Sequence, residues 1–583
     1  MEFRNQEACG LRLWPAWLLA VVQAVALVLS VVPSIQNLVR FVFMMAVPAL
    51  VGLLFALWLL LASRLRGREK LGLAAAGALG PALSALLSVR DPALQTTLFC
   101  YGVPLAVFLL TGALTAFGRQ PHRAALAALA LALGWSPFPL LRNEGFDGSY
   151  WPEFAWRWSS PSEAPAVALT ATPEIRAEPK DAELPEGAVW PQFRGPEGNG
   201  ASSAVVAEQN WAARKPKELW RIRVGAGWSS FAYADGRLYT QEQRGGSECV
   251  TCYSARNGSP VWCHADAARF SEAVSGAGPR STPSVVRGCV YALGGSGLLT
   301  CLSAGDGKPL WQRNLVAELK APVPMWGFSG SPLILGDKLI VYAGADGDNG
   351  LIAVDAHSGR TLWGFPSTGM NYTTARPMTL AGEGCVVFCD GRGVHALSPE
   401  NGRVLWTFRP KDWEGPGMID PQQISPSGLL VALGDGIGIA RLEVRKQEGQ
   451  WRIDEAWSSD QLCPSFNDCV VLGNGVFGFN QVLFTCLDLA TGRRKWQGGH
   501  YGFGQAVLMK APAQIVVAAE NGDAALLRAG TESFEEIARL PVLKGKTWNH
   551  PVVVGNRLFM RNGKVAVCLR LDAGERAASN GQR

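Results

Sequence analysis

The residues able to do chemistry in this chain fall in eight short clusters between residues 228 and 550. They read Trp228-Ser-Ser, Arg280-Ser-Thr-Pro, Trp326-Gly-Phe-Ser, Asn371-Tyr372-Thr-Thr-Ala-Arg376, Asp420-Pro-Gln-Gln423, Ser465-Phe-Asn467, Tyr501-Gly-Phe-Gly and Trp548-Asn-His550. Rings, amides and guanidiniums in this mixture suit a planar polar ligand or a peptide segment. The alternative is that they plug a channel and cap the strands behind them. Acid–base chemistry is poorly supplied, because Asp420 is the one carboxylate in the set and hence the one weak catalytic candidate.

Other motifs carry less. Asp346-Gly-Asp-Asn-Gly350 starts like a calcium loop but has no closing acid at the needed distance, so it reads as a hairpin turn. Cys249-Val-Thr-Cys252 lies on a strand, where residues three apart face opposite sides and cannot chelate together. The six His are scattered without metal spacing, so no metal site is expected. Gly545-Lys546-Thr547 lacks the earlier glycine and the following helix of a phosphate loop. Cys252, Cys301 and Cys486 recur in one slot and read as small core residues, while a hairpin disulfide between Cys289 and Cys301 stays open.

What positions the clusters is a repeat. Ser254-Ala-Arg-Asn-Gly-Ser-Pro-Val-Trp262 returns as Ser303…Trp311, Asp355…Trp363, Ser398…Trp406 and Asp488…Trp496, each with Gly four residues before Trp. A polar residue opens a turn, Gly takes the positive-φ position, and Trp packs on a sheet face. Paired apolar strands precede each copy, so a unit is a four-stranded antiparallel sheet ending at its Trp. Weaker copies end at Trp457 and at Leu540, and Leu219-Trp220 stands alone ahead of the first full unit. Inner strands begin near Ser229, Arg280, Ser329, Thr373, Gln423, Ser465, Gln505 and Thr547, which makes eight units. The last lacks an outer strand, and the orphan around Trp220 supplies it. Units of roughly 40–50 residues closing on themselves predict an eight-bladed β-propeller over 190–572.

Ahead of the repeats the chain belongs in lipid. Of 583 residues 48% are hydrophobic and 17% charged, and apolar runs fall at about 13–32, 41–62, 71–89, 94–117 and 124–141. Each is near the roughly 20 residues that cross a bilayer core, giving an α-helical membrane bundle of about five spans over 1–142. Cationic loops at Arg64–Lys70 and Arg119–Arg123 put the amino terminus in the cytoplasm and everything after Leu141 outside, the periplasm of a bacterial inner membrane. No charge lies mid-span, which argues against transport. Residues 143–189 read as an aromatic, Pro-rich linker and 573–583 as a disordered tail. The net charge of +6, without a basic block, argues against nucleic acid.

The blade phrase resembles the Ala-x-Asp-x-x-x-Gly-x-x-x-Trp docking phrase of the pyrroloquinoline-quinone-like propeller family. The opening Trp190-Pro-Gln-Phe-Arg-Gly-Pro-Glu-Gly-Asn-Gly, Trp326-Gly-Phe-Ser-Gly-Ser-Pro and the Gly545-Lys-Thr-Trp-Asn-His-Pro segment look like those of an exported subgroup. That family holds quinoprotein dehydrogenases and non-catalytic members alike. The resemblance implies either a membrane-anchored periplasmic propeller binding or scaffolding a protein or small ligand, with membrane lipid as a further partner and no cofactor, or a membrane-bound quinoprotein dehydrogenase. Pyrroloquinoline quinone with Ca²⁺ is expected only under the second reading, which would use Asp420 and feed membrane quinone. The residues expected to line a funnel are Trp228, Arg280, Trp326, Asn371, Tyr372, Arg376, Gln423, Asn467, Trp548 and His550.

Overall fold

The computed structural model describes residues 11–32, 35, 37–87, 92–148, 150–159, 189–202, 211 and 214–571. The chain divides into two compact units, Met1–Pro161 with Glu272–Gly276, and the remainder. Residues 160–188 and the expected tail from 573 lie outside the described residues.

Helices stand where the five apolar runs predict them, at Trp14–Ser30, Asn37–Leu57 continued to Ala62, Gly67–Leu87, Pro92–Phe117 with a wider turn at Leu98–Gly102, and Arg123–Trp135. Among the described residues, three segments are long and apolar enough to cross a membrane: Val39–Ala62, Leu94–Phe117 and Arg123–Leu140. Three of the five expected spans are thus supported by length and apolarity. Trp14–Ser30 is apolar but falls short at 17 residues. Gly67–Leu87 opens on three charged side chains and continues in Gly and Ala, which add little apolar surface. Two loops that the charge pattern places on one side meet, because Arg123 reaches Glu69 with Nε at 3.0 Å and Nη2 at 2.9 Å. Arg40, at the edge of its run, is buried and donates from Nε to the Ser30 carbonyl at 2.9 Å, satisfying an orphan acceptor at a helix end. The first part of the expected linker is a hairpin, Leu141–Phe146 with Pro152–Trp156, followed by Trp158 stacked on Trp156 at 4.8 Å.

The second unit is a ring of eight sheets among the described residues. Their innermost strands are Ala232–Ala234, Ser284–Val286, Leu333–Leu335, Arg376–Leu380, Gln422–Gln423, Val470–Leu472, Gln505–Met509 and Val552–Val554, numbered here as blades one to eight. Each blade runs outward through antiparallel strands. Blade eight takes its outer strand from Lys217–Arg223, which pairs with Val565–Arg570 so that Trp220 faces Cys568. The ends of the domain thus lie in one sheet, which closes the ring of blades.

The repeated phrase joins each blade to the next. Trp262 donates from Nε1 to the Ala304 carbonyl at 3.0 Å, Trp311 to Ala356 at 2.9 Å, Trp363 to Pro399 at 3.1 Å and Trp220 to Ala255 at 3.0 Å. The acceptor is in each case the second residue of the following blade's phrase. The phrase glycine lies against the incoming ring: at Gly307, φ is +72° and a side chain would collide with Trp262. Glycine is therefore required both by backbone conformation and by space. Trp406 shows the rule by exception. Blade five replaces the phrase turn with a long hairpin, Gly438–Gln447 with Gln450–Ser459, and the buried Trp406 Nε1 has no acceptor. Cys252, Cys301, Cys486 and Cys568 sit opposite the Trp of their own blades and are buried and free, the small-residue role read from their recurrence. Cys289 faces Ser303 rather than Cys301, and both thiols are free.

Candidate functional site

The residues two positions before the inner strands make a belt around the channel. Ser230 donates its backbone N–H to Thr282 Oγ1 at 3.0 Å, Thr282 to Ser331 Oγ at 3.0 Å, and Ser331 to Thr374 Oγ1 at 3.0 Å. Thr374 donates to Asp420 Oδ1 at 2.7 Å, and Asp420 to Asp468 Oδ1 at 3.2 Å. Blade seven has Phe503 in this slot and is bypassed: His550 Nε2 lies 3.0 Å from Asp468 Oδ2, and Ser230 Oγ donates to the His550 carbonyl at 2.7 Å. In blades one to five the N–H just before the inner strand thus finds its acceptor in a short polar side chain on the neighbouring blade.

Charge is concentrated on one side of this belt. Arg376 binds Asp420 through Nε at 2.9 Å and also through Nη2. Arg194 Nη1 lies 3.2 Å from Asp468 Oδ1, and all four side chains are at most 4% exposed. Burial pushes the Asp420 carboxyl up, opposed by Arg376 and reinforced by the negative Asp468 beside it. Burial acts on Asp468 in the same direction, but Arg194 and His550 outweigh it and hold that carboxyl below the usual range. All four carboxylate oxygens already accept from protein donors. Among the described residues, no three His, Cys, Asp or Glu are placed to hold a metal ion.

Arg194 comes from the opening segment, which threads the channel. Trp190 and Tyr233 exchange backbone hydrogen bonds at 3.0 and 2.7 Å, and Val285 N–H donates to the Pro191 carbonyl at 2.7 Å. Arg376 Nη2 donates to the Phe193 carbonyl at 3.3 Å, and the Phe193 ring meets His550 edge-on at 4.7 Å. Ala201–Ser202 then joins blade seven as a parallel strand. At Gly198, φ is +66° and a side chain would enter the Arg376 guanidinium. The segment crosses from blades one and two to blades six and seven and fills the channel beside the charged belt.

The second cluster is an aromatic cage built by blades one, six, seven and eight. Trp228 and Trp548 have ring centroids 5.0 Å apart, Phe466 lies 4.9 Å from Trp548, and Phe503 stacks 5.8 Å from Phe466. Glu520 borders it, accepting from Trp548 Nε1 at 2.8 Å and from Phe503 N–H at 3.0 Å. Lys546, itself buried, sends Nζ to 4.8 Å from the Trp548 ring centroid and 5.2 Å from that of Trp228. The cage thus holds an ammonium from its own chain.

Of the expected funnel residues, Trp228 and Trp548 meet in the cage, and Arg376, Asp420 and His550 meet in the belt. Asn371, Asn467 and Gln423 instead clip neighbouring backbone. Asn371 Oδ1 accepts from Thr373 N–H at 2.6 Å, Asn467 donates to the Gly504 carbonyl at 2.6 Å, and Gln423 exchanges hydrogen bonds with Thr379 at 2.6 and 3.1 Å. Arg280 lies over Phe270 at 4.8 Å, and Tyr372 donates to the Met370 sulfur at 3.5 Å. Trp326 is half-buried, its carbonyl accepting from Ser329 Oγ at 3.1 Å. The set of clusters read from sequence lacked Asp468, so the account of Asp420 as a lone acid is corrected: the two carboxylates are joined through a backbone N–H. The missed signal is the frame itself, since Asp468 stands two residues before its inner strand, as Asp420 does. Arg194, Lys546 and Glu520 were likewise not singled out.

Fold and site together define a closed eight-bladed propeller with a self-filled channel, which follows a set of apolar helices along the sequence. Residues 246–497 match the family model described as outer membrane protein assembly factor BamB, which bears out the repeat resemblance over blades one to six. No curated protein matches the chain. BamB from Moraxella catarrhalis is similar at 20% identity and a TM-score of 0.45, covering 62% of this chain and 99% of that one. Quinohemoprotein alcohol dehydrogenase from Comamonas testosteroni is similar at 12% identity and a TM-score of 0.49, covering 68% and 82%. The quinohemoprotein alcohol dehydrogenase ADHIIG from Pseudomonas putida HK5 follows at 11% and 0.42, covering 68% and 82%. Closure into eight blades rests on the strand register above.

Proposed function

We propose that this protein is a periplasmic propeller held at the inner membrane by its amino-terminal helices, and that it binds or scaffolds a protein partner or small ligand on its faces. The observation that carries this reading is the state of the channel. Asp420 and Asp468 are saturated by Arg376, Arg194, His550 and backbone N–H groups, and Trp190–Ser202 occupies the space beside them. A quinone bound with Ca²⁺ needs free oxygen ligands and an unpaired carboxylate base, and both of these carboxylates are already paired with guanidiniums. The match of the blades to the family model described as an assembly factor supports a protein partner.

Crosslinking of the full chain in its native membrane, with identification of what is captured, tests the proposal. A reproducible partner at the propeller is expected. Reduction of an artificial dye with alcohols or sugars after addition of pyrroloquinoline quinone and Ca²⁺, abolished by Asp420→Ala, would overturn it in favour of the dehydrogenase. A reporter fused after residue 142 that is active in the cytoplasm would overturn the placement.

A further inference from the structure

We infer that Cys249 and Cys263, on the two outer strands of blade one, form a two-coordinate binding site for a soft monovalent cation, Cu(I). This goes beyond the scaffold reading and does not depend on it.

The strand register brings the two thiols together. Cys249 faces Ala265 and Cys263 faces Thr251, so the cysteines are diagonal neighbours on one face of the sheet, and their thiols share a hydrogen bond. Cys249 and Cys252, three apart on one strand, point to opposite faces, whereas the adjacent strand supplies Cys249 with a sulfur on its own face. Diagonal neighbours lie about 7–8 Å apart at Cα, beyond the reach of a disulfide. A metal bridge spans further, since two collinear metal–thiolate bonds of about 2.3 Å set the sulfurs about 4.6 Å apart. The ion takes the place of the shared thiol proton, and no separate cavity is required.

The ligand set selects the ion. Among the described residues no third His, Cys, Asp or Glu completes a larger metal site, and His264 and Asp266, on the opposite face of the strand, lie 3.3 Å from each other. Zn(II) takes four ligands and hard cations take oxygens, while a pair of thiolates suits the soft Cu(I), which accepts linear coordination. The bis-thiolate complex carries one net negative charge. Arg244 answers it: its side chain is 8% exposed, its charge acts on both thiols, and its Nε has no hydrogen-bond partner. Glu242, directly opposite Cys249, is already engaged by Arg244, the Tyr253 hydroxyl and the Gly225 N–H. Thr251 Oγ1 donates to the Cys263 sulfur at 3.6 Å, which favours its thiolate. Cys263 is half-buried and Cys249 buried, so the ion enters at Cys263, whose thiol is brought down to about 7 by its hydrogen bond with Cys249. On loading, two S–H bonds break, two Cu–S bonds form and both protons pass to solvent, with no electron transferred.

The test is anaerobic titration of the full chain in detergent with Cu(I), kept reduced by ascorbate, followed by iodoacetamide at pH 7 and peptide mass analysis. One equivalent of Cu(I) is expected to slow alkylation of Cys263 at least about tenfold, and Zn(II) to leave it unchanged. Cys249→Ser is expected to abolish the protection while Cys263 is still alkylated. If that buried variant folds poorly, Cys263→Ser, at the half-buried end, is expected to lose one bound equivalent of Cu(I) in competition with bicinchoninate. No protection by Cu(I), equal protection by Zn(II), protection that survives in Cys249→Ser, or an unchanged stoichiometry in Cys263→Ser overturns the inference. So does recovery of the two cysteines joined as a disulfide from the native membrane.

Discussion

Asp468→Ala is the sharpest probe of the filled channel. The carboxylate accepts from Arg194 Nη1 at 3.2 Å, from the Asp420 N–H at 3.2 Å and shares a hydrogen bond with His550 at 3.0 Å. Its removal strands Arg194, whose side chain is 1% exposed, without its direct ion-pair partner. Breaking a buried ion pair from one side costs about 3–5 kcal/mol, most of it the penalty of the charge left behind. Replacing both charges by apolar groups of similar volume removes that penalty, so Arg194→Met with Asp468→Leu is expected to cost less than about 2 kcal/mol. Urea unfolding of the full chain in detergent, followed by tryptophan fluorescence, measures the two variants side by side. A second readout is local: Arg194 is shielded from trypsin in the wild type, and cleavage after it is expected in Asp468→Ala. A loss below about 1 kcal/mol in Asp468→Ala, or a double variant no better than the single one, would refute the idea that the ion pair pins the segment.

Trp220→Ala removes the ring that docks on the next blade and its hydrogen bond to Ala255; a loss of about 3–5 kcal/mol is expected at the ring closure, read as a lower urea midpoint. Asp390 is held at about 2, because His395 at 2.8 Å and Arg392 at 2.9 Å outweigh the effect of burial. Its contribution is complete above about pH 4 and fades as pH falls toward 2, so Asp390→Asn is expected to lose about 1–2 kcal/mol at pH 7 and to converge with wild type near pH 2, checked by urea midpoints across pH. A hydrogen bond with Cys249 brings the half-buried Cys263 thiol down to about 7 against the effect of burial, while the Cys249 thiol is raised. Among the described cysteines, Cys263 is expected to alkylate first with iodoacetamide at pH 7, shown by peptide mass analysis.

The propeller was legible because its strongest constraint is local. Gly and Trp recur four residues apart, and both are dictated by the docking of one blade's ring on the next blade's turn, so sequence alone showed the units and even the borrowed strand around Trp220. The channel contents were not legible. Arg194 and Asp468 are partners across 274 positions of sequence, and no period links them. Trp190–Gly200 carried a family resemblance but no signal of where it runs. Several polar residues expected to face a ligand, such as Asn371 and Gln423, bind neighbouring backbone, because an inner strand leaves donors and acceptors that something must satisfy. In the helical region all five runs form helices but three meet the length and apolarity of a span, because a run can be long while Gly and Ala give it little apolar surface.

The order of the segments along the chain decides how the propeller bears a pull from its amino-terminal side. A pull applied to the propeller at Val189 meets Trp190–Ser202 first, where ladder bonds to Tyr233 and the buried Arg194 contact resist it, and only afterwards the borrowed strand at Lys217–Arg223. Load is therefore dissipated inside the hub before it reaches the one joint whose failure would unzip the whole wheel, as a strain-relief knot spares a cable's connector.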